Sequence, residues 1–535
     1  MLAAGGRVRD PIHDYIPFTG IERELFDHPV AQRLRSVSQS AAAHLVFPEM
    51  RGSRFAHSLG AMHLASSFFA AALRNAGQAE HQQIVEACGA LVDRHRGLGL
   101  GDAEAAIVNE AALVASPELA PGDRAPVLFV EQALRLASLV HDLGHLPFSH
   151  DFETALERRL HVDRELREQL APLYAPDVRG GAMHEKVGYA LAATVQQRVF
   201  DQQLVGTGSA KLAEVSFLIA RDVLDAPAAP ELEDDPVGQV LGWLHSLIDG
   251  EIDVDRADYV LRDVRAYGLA AAMYDHKRLA DSLVPVADAS GAIVTAILPP
   301  GVSDAEAFLV ARYRMYAWAI FHHKIQQAAA GLRVGIEDVL EHAAEDVAPF
   351  LQALGEIAAG NATDETLRDF AECDDVWFTQ LMRNRLRSGL PSQTEPWSAL
   401  FLQRRPGPVS LWKRPSDFPV ADRAAWNARL PGKDDTELQA EWDRLAAELR
   451  NEGVLVHRLP FRPWNARPDG DPVLQVAVSG GLQPLTALAP LVGALAPSWA
   501  EQLQVHVYAD RPDRTDPASV LQRLEPALLT PQESS

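Results

Sequence analysis

The stretch Val140-His141-Asp142-Leu143-Gly144-His145-Leu146-Pro147-Phe148-Ser149-His150 decides how this chain is read. It follows a mostly apolar run, Ala133 to Val140, broken by Arg135 and Ser138, which predicts a buried helix. Polar groups at the end of a buried apolar element cost free energy unless something pairs with them. His141 and Asp142 set an imidazole beside a carboxylate, and both groups donate to divalent transition metals. His145 lies four residues on, so a continuing helix would place it on the face of His141. Gly144 and Pro147 permit a turn that brings His150 back toward the same cleft. A lone histidine is more often a satisfied core or surface residue, but so dense a set favours a metal site.

Composition narrows the partners. The 535 residues are 47% hydrophobic and 23% charged, ordinary usage for a globular chain long enough for two to four domains. Forty-nine basic against 73 acidic residues leave a net charge of -24, which argues against a general nucleic-acid-binding surface and against an anionic membrane. An anionic substrate must therefore meet local Arg and Lys clusters. Cys88 and Cys373 are the only cysteines, too few for a disulfide framework, so a reducing, cytoplasmic setting is expected. The first ten residues lack the apolar core of a signal peptide, and no run of about 18 apolar residues occurs.

Outward from the central stretch, three further sets of residues occur in order. Asp10-Pro11-Ile12-His13 and Gln32-Arg33-Leu34-Arg35 come first, then Phe47-Pro48 with Arg54-Phe55-Ala56-His57-Ser58-Leu59-Gly60, and last Ile252 to Asp263. Together with His141-Asp142-Leu143-Gly144-His145-x-Pro147-Phe148-Ser149-His150 they resemble the signatures of the HD-domain phosphohydrolases, in the branch of the deoxynucleoside triphosphate triphosphohydrolases. The resemblance spans residues 7 to 330. It implies a mainly α fold, with an HD-domain helical core and a small α/β C-terminal lobe.

The resemblance also implies a site. His57, His141, Asp142 and Asp255 would be the metal ligands, a mixed nitrogen and oxygen set suited to Mn²⁺, Fe²⁺ or Zn²⁺, with Mg²⁺ arriving on substrate phosphates. Asp255, Tyr259 and Asp263 are spaced four and four, so one helical face presents a carboxylate, a ring and a second carboxylate. Tyr259 would lie against the sugar and Asp263 would accept from its 3′-hydroxyl, while Asp253, Asp258 and Arg262 would point elsewhere into structural ion pairs. Gln39 corresponds to a nucleotide-contacting glutamine, Arg54 and Arg312 to phosphate contacts, and Tyr316 to the sugar or base pocket. His145, oriented by Glu153, would protonate the leaving side, with His150 and His184 offsetting phosphate charge. Asp27, Gln32 and Arg35 match positions that hold a guanine activator at a subunit interface in the regulated animal member, which permits an activator nucleotide and a homo-oligomer here.

The expected organisation is a catalytic core over 1–340 with an insertion at about 77–130, a helical extension over 341–450, a small α/β lobe over 451–516 and a flexible tail over 517–535. Asp27 and Pro29 mark the start of a helix carrying Gln32 and Arg35, with Gln39 one turn further on. Ser303 to Glu306 is a capping-box pattern before one long helix, Ala305 to about Ala330. Gly97-Leu98-Gly99-Leu100-Gly101 lacks dinucleotide-fingerprint spacing. The expected activity is metal-dependent hydrolysis of a dNTP, dGTP among them, to deoxynucleoside and inorganic triphosphate. Alternatives are an HD nucleotidase or phosphodiesterase acting on other nucleotides, and a nucleotide-sensing regulatory protein, for example in phage defence.

Overall fold

The computed structural model describes the chain apart from residues 1–4, 96–112, 114–118, 120, 176–180, 208–209, 227–234, 290, 392–393, 406, 431–435, 460–463, 465–472, 511 and 526–535. Of the expected insertion, Gln78–Arg94 is a helix, and Gly97 to Gly101 lies outside the described residues. The end of the expected tail also lies outside them.

Three helices frame the site. Arg54–Asn75 starts where the Ser53 side chain accepts from the Ala56 N–H at 3.4 Å, and its small apolar residues let neighbours approach closely. It packs against Pro121–Val140 and Val254–Ala266, burying Phe68, Phe69, Phe129, Leu136 and Val260. Burial of such side chains is worth about 1.5–3 kcal/mol each. Arg135, the charge that interrupts the apolar run, is fully buried and held by Glu22, with Nε to Oε1 at 2.6 Å and Nη2 to Oε2 at 2.8 Å. Gln132 and the backbone N–H of Thr19 also donate to Glu22, so the buried charge is fully engaged. The fold is mainly α, as the sequence predicts.

Two helical expectations are corrected. The central helix ends at Val140, and residues 141–144 form turns, so His141 and His145 share a turn and not a helix face. The long helix expected from Ala305 is interrupted: it runs Val302–Arg314 from Gly301, becomes a π-helical Met315–Ile320, and restarts as His323–His342. The His322 side chain accepts from the Lys324 N–H and starts a new helix there. Near the N-terminus, His28 is the cap of a short helix Pro29–Arg33, and Arg35 falls in the following 3₁₀ turn Leu34–Ser36, with Gln39 in the loop beyond.

Strands past residue 450 divide between two sheets. Val454–Arg458 pairs antiparallel with Val505–Ala509, which also pairs with Val409–Ser410. Gln475–Val478 and Gly481–Pro484 instead extend the hairpin Leu283–Ala287 and Ile293–Ile297, with Ile297 opposite Val476 in parallel. Where a flexible tail is expected, Pro517–Leu524 is a helix that buries Val520, Leu521 and Leu524 against Trp412, Trp426 and Trp442.

Candidate metal centre and active site

His57, the fourth residue of its helix, points its Nε2 at the end of the Pro121–Val140 helix and at the start of the Val254–Ala266 helix. The Nε2 lies 2.8 Å from Asp255 Oδ1 and 3.6 Å from Asp142 Oδ2, and His141 Nε2 lies 3.4 Å from Asp142 Oδ1 and 3.7 Å from Asp255 Oδ1. Three distant parts of the chain therefore converge on one point. Both imidazole Nε2 atoms are buried without a hydrogen-bond partner, because Asp255 approaches out of line for one. Two lone pairs and two carboxylates facing one another in this way suit a divalent cation. Burial works against charge on His57, yet Asp255, Asp258 and Asp142 together push its pKa up to about 10, a demand for positive charge that a metal ion meets.

A further layer aims the ligands. His57 Nδ1 is 2.8 Å from Asp258 Oδ2, and His13 Nε2 is 2.6 Å from Asp258 Oδ1. Arg262 donates to the same carboxylate from Nε at 2.6 Å and Nη2 at 3.0 Å, and reaches Asp10 with Nη1 at 2.8 Å. Asp258 does make the expected ion pair with Arg262, but it does not point away from the site: it fixes the tautomer and orientation of His57. Sequence reading missed this role for Asp258 and His13. The signal was present in the pairing of Asp10-Pro11-Ile12-His13 with the Ile252 to Asp263 segment. Gly60 belongs to the same contact, since a Cβ there would stand 1.8 Å from Asp258 Oδ1. His141 is fixed from its other nitrogen, Nδ1 lying 2.7 Å from the Ser138 carbonyl.

Beside the four candidate ligands lies a second cluster, His145, His150, Glu153 and His184. Glu153 contacts His184 Nδ1 at 2.9 Å and His150 Nδ1 at 3.4 Å, whereas His145 Nδ1 is 3.9 Å away. The expected Glu153 to His145 pairing is thus displaced onto His184, which stacks on His145 at 4.1 Å. Burial works against charge on His184, but Glu153 outweighs it and raises its pKa. Burial, then Arg54 and His184, push His145 well below the usual imidazole range. The turn 141–144 reaches this cluster because Gly144 presses on the helix Met183–Val199: a Cβ would meet the His184 carbonyl at 2.1 Å and Gly188 N at 2.2 Å.

His141, Asp142, Asp255, His145, His150 and His184 open on a cavity of about 1150 Å³, which Gln39, Arg54, Tyr259, Asp263, Arg312 and Tyr316 also line. Gln39 Oε1 and Arg312 Nη1 are buried without hydrogen-bond partners, while Arg312 Nε donates to the Tyr259 hydroxyl at 3.0 Å. Arg54 commits Nη1 to Asp142 at 2.9 Å and Nε to Ser149 Oγ at 3.1 Å, so it steadies a candidate ligand as well as facing the cavity. Tyr316 sits in the π-helical segment, a widening of the helix often found at functional sites. Burial pushes the Asp263 carboxyl up to about 7. Asp27, Gln32 and Arg35 lie outside this lining: Arg35 Nε donates to Gln32 Oε1 at 2.7 Å, Gln32 Nε2 to the Phe26 carbonyl at 2.7 Å, and Asp27 pairs with Arg23 at 3.5 Å.

No family model matches the chain. A solved phosphohydrolase from Bacteroides thetaiotaomicron superposes with a TM-score of 0.54 at 16% identity, covering 95% of this chain and 99% of that one. The two share a mainly α fold. Curated relatives match part of this chain. An uncharacterized protein of Methanocaldococcus jannaschii is 24% identical over 321 residues, 60% of this chain and 47% of its own length. The deoxynucleoside triphosphate triphosphohydrolase SAMHD1 of Bos taurus is 26% identical over 280 residues, 51% of this chain and 37% of its own length. The chain thus spans about half the length of the curated relatives it matches, or less. Among the described residues, no helix is long and apolar enough to cross a membrane.

Proposed function

We propose that the chain is a metal-dependent phosphohydrolase that converts a dNTP to deoxynucleoside and inorganic triphosphate. The observation that carries this reading is the convergence of His57, His141, Asp142 and Asp255, with two unpartnered imidazole nitrogens, at the wall of a cavity that also presents the unpartnered Arg312 Nη1 and Gln39 Oε1. Sequence similarity to the triphosphohydrolase SAMHD1 supports it.

A divalent ion held by those four residues would supply Lewis acidity toward a phosphoryl oxygen and acidify water. The chain's own residues do the rest. Arg312 Nη1 receives phosphate oxygens, and its Nε holds the Tyr259 hydroxyl so that the ring flanks the sugar. Asp263, one further turn along, accepts from a sugar hydroxyl, and Gln39 Oε1 accepts from the base or sugar. His184, charged through Glu153, holds the proton for the leaving oxygen in place of His145, which stays neutral and packs against it. Arg54 aims Asp142, and against the cost of burial it acts with the neighbouring imidazoles to hold that carboxyl well below its ordinary range.

Incubation of Mn²⁺-loaded protein with each of the four dNTPs, with and without a second nucleotide, tests the reading. Deoxynucleoside and tripolyphosphate are the expected products. Monophosphate and pyrophosphate would reject the proposed bond, and turnover of monophosphates alone would move the chain to the nucleotidases.

A further inference from the structure

The cavity that holds His141 and Asp255 continues past His150 to the C-terminal strands. Thr154, Arg158 and His161 follow His150 along one face of the helix His150–Val162 and line it throughout. From His150 to His161 that wall is about 16 Å long. The facing wall is Arg333, on the helix His323–His342, and His457, on the strand Val454–Arg458.

This end is built and buried, and one nitrogen each of Arg333 and His457 is without a hydrogen-bond partner. Arg333 is 6% exposed; Nη1 is bonded to Asp151 Oδ1 at 3.0 Å, and Nη2 is buried with no hydrogen-bond partner. His457, 7% exposed, likewise has a buried Nε2 without a partner. A buried nitrogen of this kind is costly to leave unsatisfied, and a ligand that bonds to it removes that cost. Arg158 stands beside them, sharing Glu337 with Arg450. Asp151, Glu157 and Asp443 also face this end, and burial raises the pKa of Asp151 and Glu157, which eases their neutralisation.

We infer that the far end of the cavity is a second anion subsite, where Arg333 Nη2 and His457 Nε2 bind a phosphate group with Arg158 beside it. A guanidinium edge and an imidazole nitrogen lining one cavity can both reach the oxygens of a phosphate. The phosphate belongs either to a long ligand whose other end lies at the metal cluster, or to a small anion bound alone. This subsite stands on the cavity and its unpartnered donors, independently of the dNTP reading.

Calorimetric titration of the full chain with inorganic phosphate, and separately with a 5′-phosphorylated thymidine dinucleotide, tests it. Arg333→Gln is expected to weaken phosphate binding at one site at least tenfold, and His457→Gln several-fold. Should Arg333→Gln fail to fold, His457→Gln, checked by thermal melting, carries the test. A parallel loss of dinucleotide binding identifies the spanning ligand; loss of phosphate binding alone identifies the separate anion. Unchanged phosphate binding in the folded variants overturns the subsite. A wild-type chain that binds phosphate here but hydrolyses no dNTP would overturn only the proposed function.

Discussion

The Asp375 carboxylate accepts a hydrogen bond from the backbone N–H of Phe148 at 2.6 Å. Its other oxygen accepts from Ser38 N at 3.0 Å and Ser38 Oγ at 2.6 Å. Phe148 and Ser149 both have positive φ, 58° and 54°, a backbone state that costs about 1–3 kcal/mol for such residues. Asp375 lies far along the chain, so a segment more than 200 residues on holds the strained loop that carries His145 and His150. Arg33 adds a second tie, donating to the Cys373 carbonyl at 2.6 Å and to the His145 carbonyl at 2.7 Å.

Asp375→Ala is therefore expected to lower stability by about 3 kcal/mol, through loss of charged hydrogen bonds and release of the loop. Denaturant midpoints measure it. The same variant should lose activity under conditions where it remains folded.

Asp258→Asn keeps the shape of the side chain but weakens its hold on His57 and His13. Metal affinity is expected to fall 10–100-fold. Metal content after dialysis against graded chelator reads this directly, and retention equal to wild type would remove Asp258 from the ligand-orienting role.

Glu153 raises the pKa of His184 against the effect of burial. A proton donor is lost as pH rises through its pKa, so kcat/KM is expected to fall on the alkaline side of that value. Glu153→Gln should shift the falling limb to lower pH. An unmoved limb would separate His184 from proton delivery.

Burial raises Asp263 from 3.8 to about 7. A carboxyl with a raised folded pKa binds its proton more tightly in the folded than in the unfolded state. Its ionisation therefore costs nothing below about pH 4, and the penalty grows as pH rises to about 7, where it levels off. Asp263→Asn should raise Tm relative to wild type at about pH 8 and leave it nearly unchanged at about pH 4.

Arg135→Met alone strands the Glu22 carboxylate in the core and is expected to cost about 3–5 kcal/mol. Arg135→Met with Glu22→Leu should recover much of that loss. A double-mutant cycle by chemical denaturation measures the coupling.

Local patterning and residue order settled much of this protein. The apolar run before His141 and the four-residue spacing of Asp255, Tyr259 and Asp263 are short-range features, so the sequence alone pointed to a mainly α chain and to a His and Asp cluster. Other features depend on which surfaces meet. Asp258 reads as one more acid on a polar helix, and only its burial against His57, His13 and Gly60 reveals that it aims a candidate ligand. The move of Glu153 from His145 to His184 follows from Gly144 packing on Gly188, a contact between segments 44 residues apart by number. The ties from Cys373 and Asp375 to the His145 loop, and the reach of the cavity to His457, join still more distant segments. Helix and strand periodicities carry information over a few turns, whereas a hydrogen bond between remote segments depends on the packed geometry of everything between them.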